Sequence, residues 1–136
     1  LEQSALQPIS TLKTVISQIK YIRKGETVGY SRKGVAEDDM KIATIAIGYA
    51  DGFGRKFGNG VANVLIHNQP ASTIGNICMD MSMVDISHIP EAKEGDEVII
   101  FGPALPVHTL AEKAGTIPYE ILTGVSERVK RIYYTE

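Results

Sequence analysis

The chain has 136 residues, 43% of them hydrophobic and 22% charged, with a formal net charge of -2. That length suits one domain with a core of its own, and the hydrophobic share excludes a disordered chain. The slight acidic excess speaks against a nucleic-acid domain, which carries a basic surplus, and no apolar run approaches the roughly 18 residues of a membrane-spanning helix.

In chain order, Leu1 to Gln7 reads as a lead-in that Pro8 breaks. Thr11 to Ile22 is ambiguous. Leu12, Val15, Ile16, Ile19 and Ile22 fit a helical period, yet the segment is rich in β-branched residues, which favour strands. Lys24-Gly25-Glu26 is a turn, Thr27 to Tyr30 a short strand and Gly34 to Asp39 a polar loop. Lys41 to Ile47 is apolar on both faces, as in a well-buried strand. Gly52 to Gly60, with four glycines around Arg55 and Lys56, is a long loop.

Val61 to His67 is predicted as a strand, Asn68-Gln69-Pro70 as a turn and Ser72 to Cys78 as the return strand, because proline cannot continue a central strand. Met81 to Ile86 and Glu97 to Phe101 are further strands. Thr109 to Glu112 matches a capping box opening a helix that Gly115 stops. Thr116 opens a second helix, with Pro118 tolerated in its first turn and Tyr119 to Ser126 continuing it. The tail from Arg128 to Tyr134 reads as extended. Short strands separated by Gly, Pro and Asn turns point to a mainly β, antiparallel sandwich or barrel with short C-terminal helices, one domain over residues 1–136.

Cys78 stands alone, so no intramolecular disulfide is possible; this fits a reducing compartment, most simply the cytosol. No secretory leader opens the chain, and a start at Leu1 rather than Met points to a piece of a longer protein. The glycines of the 52–60 loop spell no phosphate-binding motif, and there is no Gly-x-Ser-x-Gly elbow. His67, His88 and His108 have no partner at metal spacing, so surface or core histidines are expected. Cys78 beside Met79 reads as a buried small hydrophobe. Met79, Met81 and Met83 alternate as one strand face, and by pattern they belong to the core.

Two tyrosines beside glycines at strand ends are less ordinary: Tyr30 in Gly29-Tyr30-Ser31-Arg32, and Tyr49 in Gly48-Tyr49-Ala50-Asp51-Gly52. Strand ends and the loops after them are where sites are built. A phenol there donates hydrogen bonds, or acts as a base if a cation lowers its pKa. The plainer alternative is a ring packed at the sheet rim.

Taken together these segments resemble a known family. Val28-Gly29-Tyr30-Ser31-Arg32, Thr44 to Gly52, Gly75-Asn76-Ile77-Cys78-Met79-Asp80-Met81, Met83-Val84-Asp85, Gly95-Asp96-Glu97-Val98, Tyr119-Glu120-Ile121-Leu122 and Arg128-Val129-Lys130-Arg131 match in order the pattern of the C-terminal domain of bacterial alanine racemase. The resemblance spans about Leu12 to Tyr133, and motifs this many in sequence are specific where one would be weak.

It implies one half of a pyridoxal 5'-phosphate isomerase that interconverts L- and D-alanine for the cell wall. The cofactor-binding lysine belongs to an N-terminal (β/α)8 barrel, of which this chain shows no trace, and the β domain faces the barrel of a second subunit in a homodimer. It also implies that Thr11 to Ile22 is a strand. By position, Tyr30 matches the catalytic tyrosine that works in trans on the α-hydrogen of L-alanine. Met79 matches the residue whose backbone N–H meets the substrate carboxylate. Tyr49, Arg55 and Asp80 fall along the substrate's access channel. Tyr119 matches the tyrosine that reaches the cofactor phosphate, and Arg131 lies in the basic tail. Asn76 departs from the family, which commonly has arginine there.

On this reading the chain binds no cofactor alone and is inactive alone. Its partners are the barrels, its substrate is alanine, and neither nucleic acid nor membrane is a partner. The alternative is a non-catalytic β domain that mediates protein–protein contact. A nucleic-acid-binding barrel is weakened by the charge and the lack of a basic, aromatic-interleaved stripe.

Overall fold

A computed structural model describes residues 11–28, 34–35 and 38–130; the side chains of residues 27, 28, 34, 35 and 119 are outside the description. The strands are β1 (Leu12–Ile22), β2 (Thr27–Val28), β3 (Gly34–Val35), β4 (Met40–Ile45), β5 (Asn63–Ile66), β6 (Gln69–Ser72), β7 (Ser82–Asp85) and β8 (Glu97–Phe101). Two helices come after them, α1 (Val107–Ala114) and α2 (Pro118–Thr123). Six strands form one antiparallel sheet in the order β6-β5-β8-β1-β4-β7, and β2 pairs with β3 apart from it. A bridge between Thr73 and Val84 joins the two outer edges, so the sheet curls into a nearly closed barrel and few edge groups are left unpaired.

Strand β1 resolves the conflict between period and composition. Its N-terminal half pairs with β8 and its C-terminal half with β4, and the register shifts between Leu12 and Lys13 and again between Ile16 and Gln18. An extra residue in one strand of a pair rotates the remainder of that strand to the other face. Leu12 and Ile16 therefore share the buried face at strand spacing, and Ile19 packs against the core beyond the shift. The spacing that mimics a helix is a strand interrupted by an irregularity. Val15, part of the apparent helical stripe, is exposed.

The core is mostly aliphatic. Ala43 and Ile45 of β4 join Val64 and Ile66 of β5, Val84 of β7 and Val98 and Ile100 of β8 in one cluster, and Ile42 is buried outside it, all at most 1% exposed. Both faces of β4 are buried, as its composition predicts. The 52–60 segment is not a free loop: Arg55–Phe57 forms a 3-10 turn. Phe53 and Phe57 stack at 5.3 Å between ring centres and are buried in the core.

Several predicted elements shift. The β5–β6 turn is His67-Asn68, both with positive φ (53° and 61°), a two-residue hairpin turn whose twist matches the strands. The return strand is therefore Gln69–Ser72 rather than Ser72 to Cys78, and Pro70 lies inside it. That is tolerated because β6 is an outer strand of the sheet. Met79, Met81 and Met83 are not core: Ser82, Val84 and Ile86 fill the buried positions, and Met79 and Met81 are exposed. The alternation is real and its buried phase is the other one. Cys78 is only half-buried.

The first helix starts at Val107, two residues before the predicted cap, because Pro106 supplies a preset backbone (φ -59°, ψ 143°) and Val107, Leu110 and Ala111 bury the inner face. Thr109 lies inside the first turn and caps nothing. Gly115 ends the helix in a left-handed conformation (φ 71°), and Pro118 opens α2, both in line with the sequence signals. That second helix stops at Thr123. Of the predicted extended tail, Arg128 lies in a turn and Val129 in a bend, neither of them in a strand, and residues 131–134 lie outside the described residues. Among the described residues no helix is long and apolar enough to cross a membrane, and no cluster of three or more His, Cys, Asp or Glu could hold a metal.

Candidate functional site

The segment Gly48-Tyr49-Ala50-Asp51-Gly52 leaves the end of β4 as a 3-10 turn at Tyr49–Asp51. Its local logic is compact. The Gly48 N–H donates to Asp51 Oδ2 at 3.0 Å, and Gly52 closes the turn with φ 109°, a conformation that favours glycine. The turn then seats against a second segment. The Tyr49 N–H donates to the Cys78 carbonyl and the Ala50 N–H to the Met79 carbonyl, both at 2.9 Å. Gly48 allows that approach: its backbone is extended, and a Cβ there would stand 2.2 Å from the Cys78 carbonyl oxygen and 2.5 Å from that of Met79.

On its other side the turn holds the C-terminal segment. The Ser126 N–H donates to the Asp51 carbonyl at 3.0 Å, and Gly52 lies close against Gly124 and Val125. Arg128 returns from there: its Nε donates to Asp51 Oδ1 at 2.6 Å and its Nη2 to Asp80 Oδ1 at 2.5 Å. Hydrogen bonds donated to Asp80 first, and then to Asp51, push the guanidinium pKa further above its ordinary value, so Arg128 stays charged at any working pH. Asp51 itself is buried with both carboxylate oxygens satisfied.

The outward face of this knot is open. Tyr49 is 42% exposed and Met79 53%, and the Arg55 guanidinium carbon stands 5.9 Å from the centre of the Tyr49 ring, within cation–π range. The Met79 carbonyl is engaged by Ala50, but its own N–H donates to no other described residue. An N–H without a partner among the described residues is a ready donor for an anionic oxygen. The structure therefore brings Tyr49, Arg55, Met79 and Asp80 to one rim. Tyr30 and Arg131 lie outside the described residues. Tyr119 is in the first turn of α2; its side chain is outside the description. Asn76, where the family commonly has arginine, accepts from Asn59 Nδ2 at 2.9 Å through its Oδ1.

Two residues of this knot carried no role in the sequence. The one signal for Asp51 was its place three residues after Gly48, the offset of an N-terminal cap, in a motif where attention falls on the tyrosine. Arg128 was visible only as the first basic residue of the tail, 48 positions from the carboxylate it grips.

A covalent pyridoxal phosphate needs a lysine amine in an enclosed site. None of the described lysines is buried; Lys13 pairs with Glu97 and Lys41 donates to the Pro90 and Ala92 carbonyls. The described residues do not fit the holder of such a group.

Comparison with known proteins shows the family. Residues 9–133 match the family described as alanine racemase, C-terminal domain. The alanine racemase of Desulfovibrio desulfuricans is 43% identical over 129 residues, covering 94% of this chain and 34% of the relative. That of Clostridium perfringens (strain SM101) is 45% identical over 136 residues, covering 97% and 35%. Among solved structures, the biosynthetic alanine racemase of Pseudomonas aeruginosa superposes with a TM-score of 0.91 at 36% identity, over 98% of this chain and 37% of that one. The Bartonella henselae alanine racemase, which carries covalently bound pyridoxal phosphate, gives 0.87 at 34% identity, over 91% and 34%. The chain thus spans about a third of the length of these relatives. It belongs to the alanine racemase family, as a C-terminal domain of that family.

Proposed function

We propose that this chain is the β wall of a composite alanine racemase site, working with a pyridoxal phosphate barrel of its own polypeptide and of a second subunit to interconvert L- and D-alanine in the cytosol, for the cell wall. The observation that carries the reading is the seating of the Tyr49–Asp51 turn on the 78–80 segment. It gathers an aromatic ring, a cation and a backbone N–H with no partner among the described residues at one exposed rim, which supports the reading. The bound cofactor would supply the electron sink that makes the α-proton acidic. The residues of this chain bind and orient. The Met79 N–H receives the substrate carboxylate, Tyr49, Arg55 and Asp80 bound the access channel, and Tyr119 is assigned to the cofactor phosphate by its match to the family. Tyr30 Oη takes and returns the proton on the face of the α-carbon opposite the barrel's lysine. Racemisation needs a base on each face, so neither domain suffices.

The test is a polypeptide joining this chain to the N-terminal two thirds of the Clostridium perfringens relative. It should form D-alanine from L-alanine when supplied with pyridoxal phosphate, while this chain alone should not. Tyr30→Phe should lower racemisation by at least about 100-fold, the lower end of what a positioned general base contributes, equally from either enantiomer because the two directions share one equilibrium constant, and should slow exchange of the α-proton of L-alanine with solvent more than that of D-alanine. Equal loss of α-proton exchange in both directions would remove Tyr30 from its face-specific role. A joined protein that assembles but never racemises would favour a domain that only docks.

A further inference from the structure

Arg128 touches neither the expected substrate donor nor the ring of Tyr49, yet it ties together the two segments that present them. Its Nε is held by buried Asp51, whose second oxygen is taken by the Gly48 N–H. That side of the fork is anchored in the turn. The other side grips Asp80, the residue next to Met79, whose side chain is 57% exposed. Among the described residues Asp80 has no other hydrogen bond or ion pair. Without Arg128 its carboxylate would be an uncompensated negative charge one residue from an N–H that is to receive another negative charge.

We propose that Arg128 is a positioning residue for the substrate carboxylate: it draws Asp80 toward the turn and neutralises it, so that the Met79 N–H stays open to an anion. This rests on the assignment of the Met79 N–H as the carboxylate's donor and extends it to a specificity role for Arg128. A planar fork that meets two carboxylates at once is what arginine provides and lysine does not. The pair works by charge and by direction, so its loss should fall on ligands with a carboxylate and spare those without.

The experiment uses the joined polypeptide with pyridoxal phosphate. Arg128→Gln should raise KM for L-alanine about tenfold, the size expected for one like charge a few ångströms away at a solvent-exposed site where the dielectric is close to that of water, with kcat within about twofold. Calorimetric Kd for propionate should rise by a similar factor, whereas inhibition by ethylamine, which has no carboxylate, should be unchanged. Arg128→Lys should fall between. The decisive variant is the double substitution Arg128→Gln with Asp80→Asn. It removes the exposed charge and should bring the Kd for propionate, an equilibrium quantity that the access route does not set, back to within about threefold of the parent.

If the parent joined protein racemises alanine but Arg128→Gln leaves KM and propionate binding unchanged, the proposal falls and the composite-site reading stands. If the double variant binds propionate no better than Arg128→Gln alone, the arginine acts on the fold rather than on Asp80 and the proposal falls again. If the parent joined protein does not racemise alanine, the underlying reading falls first.

Discussion

Gly48→Ala isolates the contact on which the site is built. The backbone at Gly48 is extended (φ -148°, ψ -164°), so alanine meets no conformational obstacle there. The obstacle is space. A Cβ would lie 2.2 Å from the Cys78 carbonyl oxygen, 2.5 Å from that of Met79 and 2.6 Å from the Met79 carbonyl carbon, all backbone atoms. Ordinary contact begins about 3.4 Å away, so the 78–79 segment must retreat by roughly 1 Å. That movement stretches the two hydrogen bonds from Tyr49 and Ala50, each worth about 1 kcal/mol net. Overpacking at a rigid site adds on the order of 1–3 kcal/mol. The expected loss is about 3 kcal/mol, or a fall in Tm of roughly 10–15 °C for a chain of this size.

Circular dichroism through a urea transition, with the thermal midpoint alongside, measures it. Gly54→Ala is the control, because that glycine has φ -67° and nothing within 4 Å of the added carbon. A Gly48→Ala protein within about 0.5 kcal/mol of the parent, or indistinguishable from Gly54→Ala, would refute the account of the turn.

Two other substitutions have outcomes set by the structure. Asp96 is held below the ordinary carboxylate range, first by the Lys93 N–H and then by His67, against an opposing pull from burial. A depressed carboxyl stabilises the fold at pH above its unfolded value and loses that contribution as pH falls through its own lower value. Asp96→Asn should therefore flatten the stability–pH curve below about pH 4 and leave its slope near neutrality unchanged, read by acid titration of the urea midpoint. Thr109→Ala should change stability by less than about 0.5 kcal/mol, because Thr109 is within the first turn of α1 and caps nothing; a loss near 1 kcal/mol, usual for an N-cap, would restore the capping box.

Much of the barrel could be read from residue order. Proline and glycine marked both helix boundaries at Gly115 and Pro118, and β4 declared its burial through apolar residues on both faces. These are local signals, set by backbone sterics and strand composition. The readings that failed depended on which alternative a neighbour would favour. The face of the Met79–Met83 segment that turns inward was decided by pairing with β4, since alternation marks two faces without saying which is buried. The helical spacing in β1 was a strand with shifted register, visible only once β8 and β4 were aligned along it.

The candidate site divides the same way. Family motifs, each a short run of neighbours in the chain, named Tyr49, Arg55, Met79 and Asp80. The grip of Arg128 on Asp51 and Asp80 spans 77 and 48 positions. No pattern of composition or spacing records such a contact, because it exists only after the sheet has closed and brought the C-terminal segment back across the turn. Sequence determined which chemical groups this domain can offer. Tertiary structure alone decided which of them share a rim and which charges are cancelled there, because distance along a chain does not set distance in space.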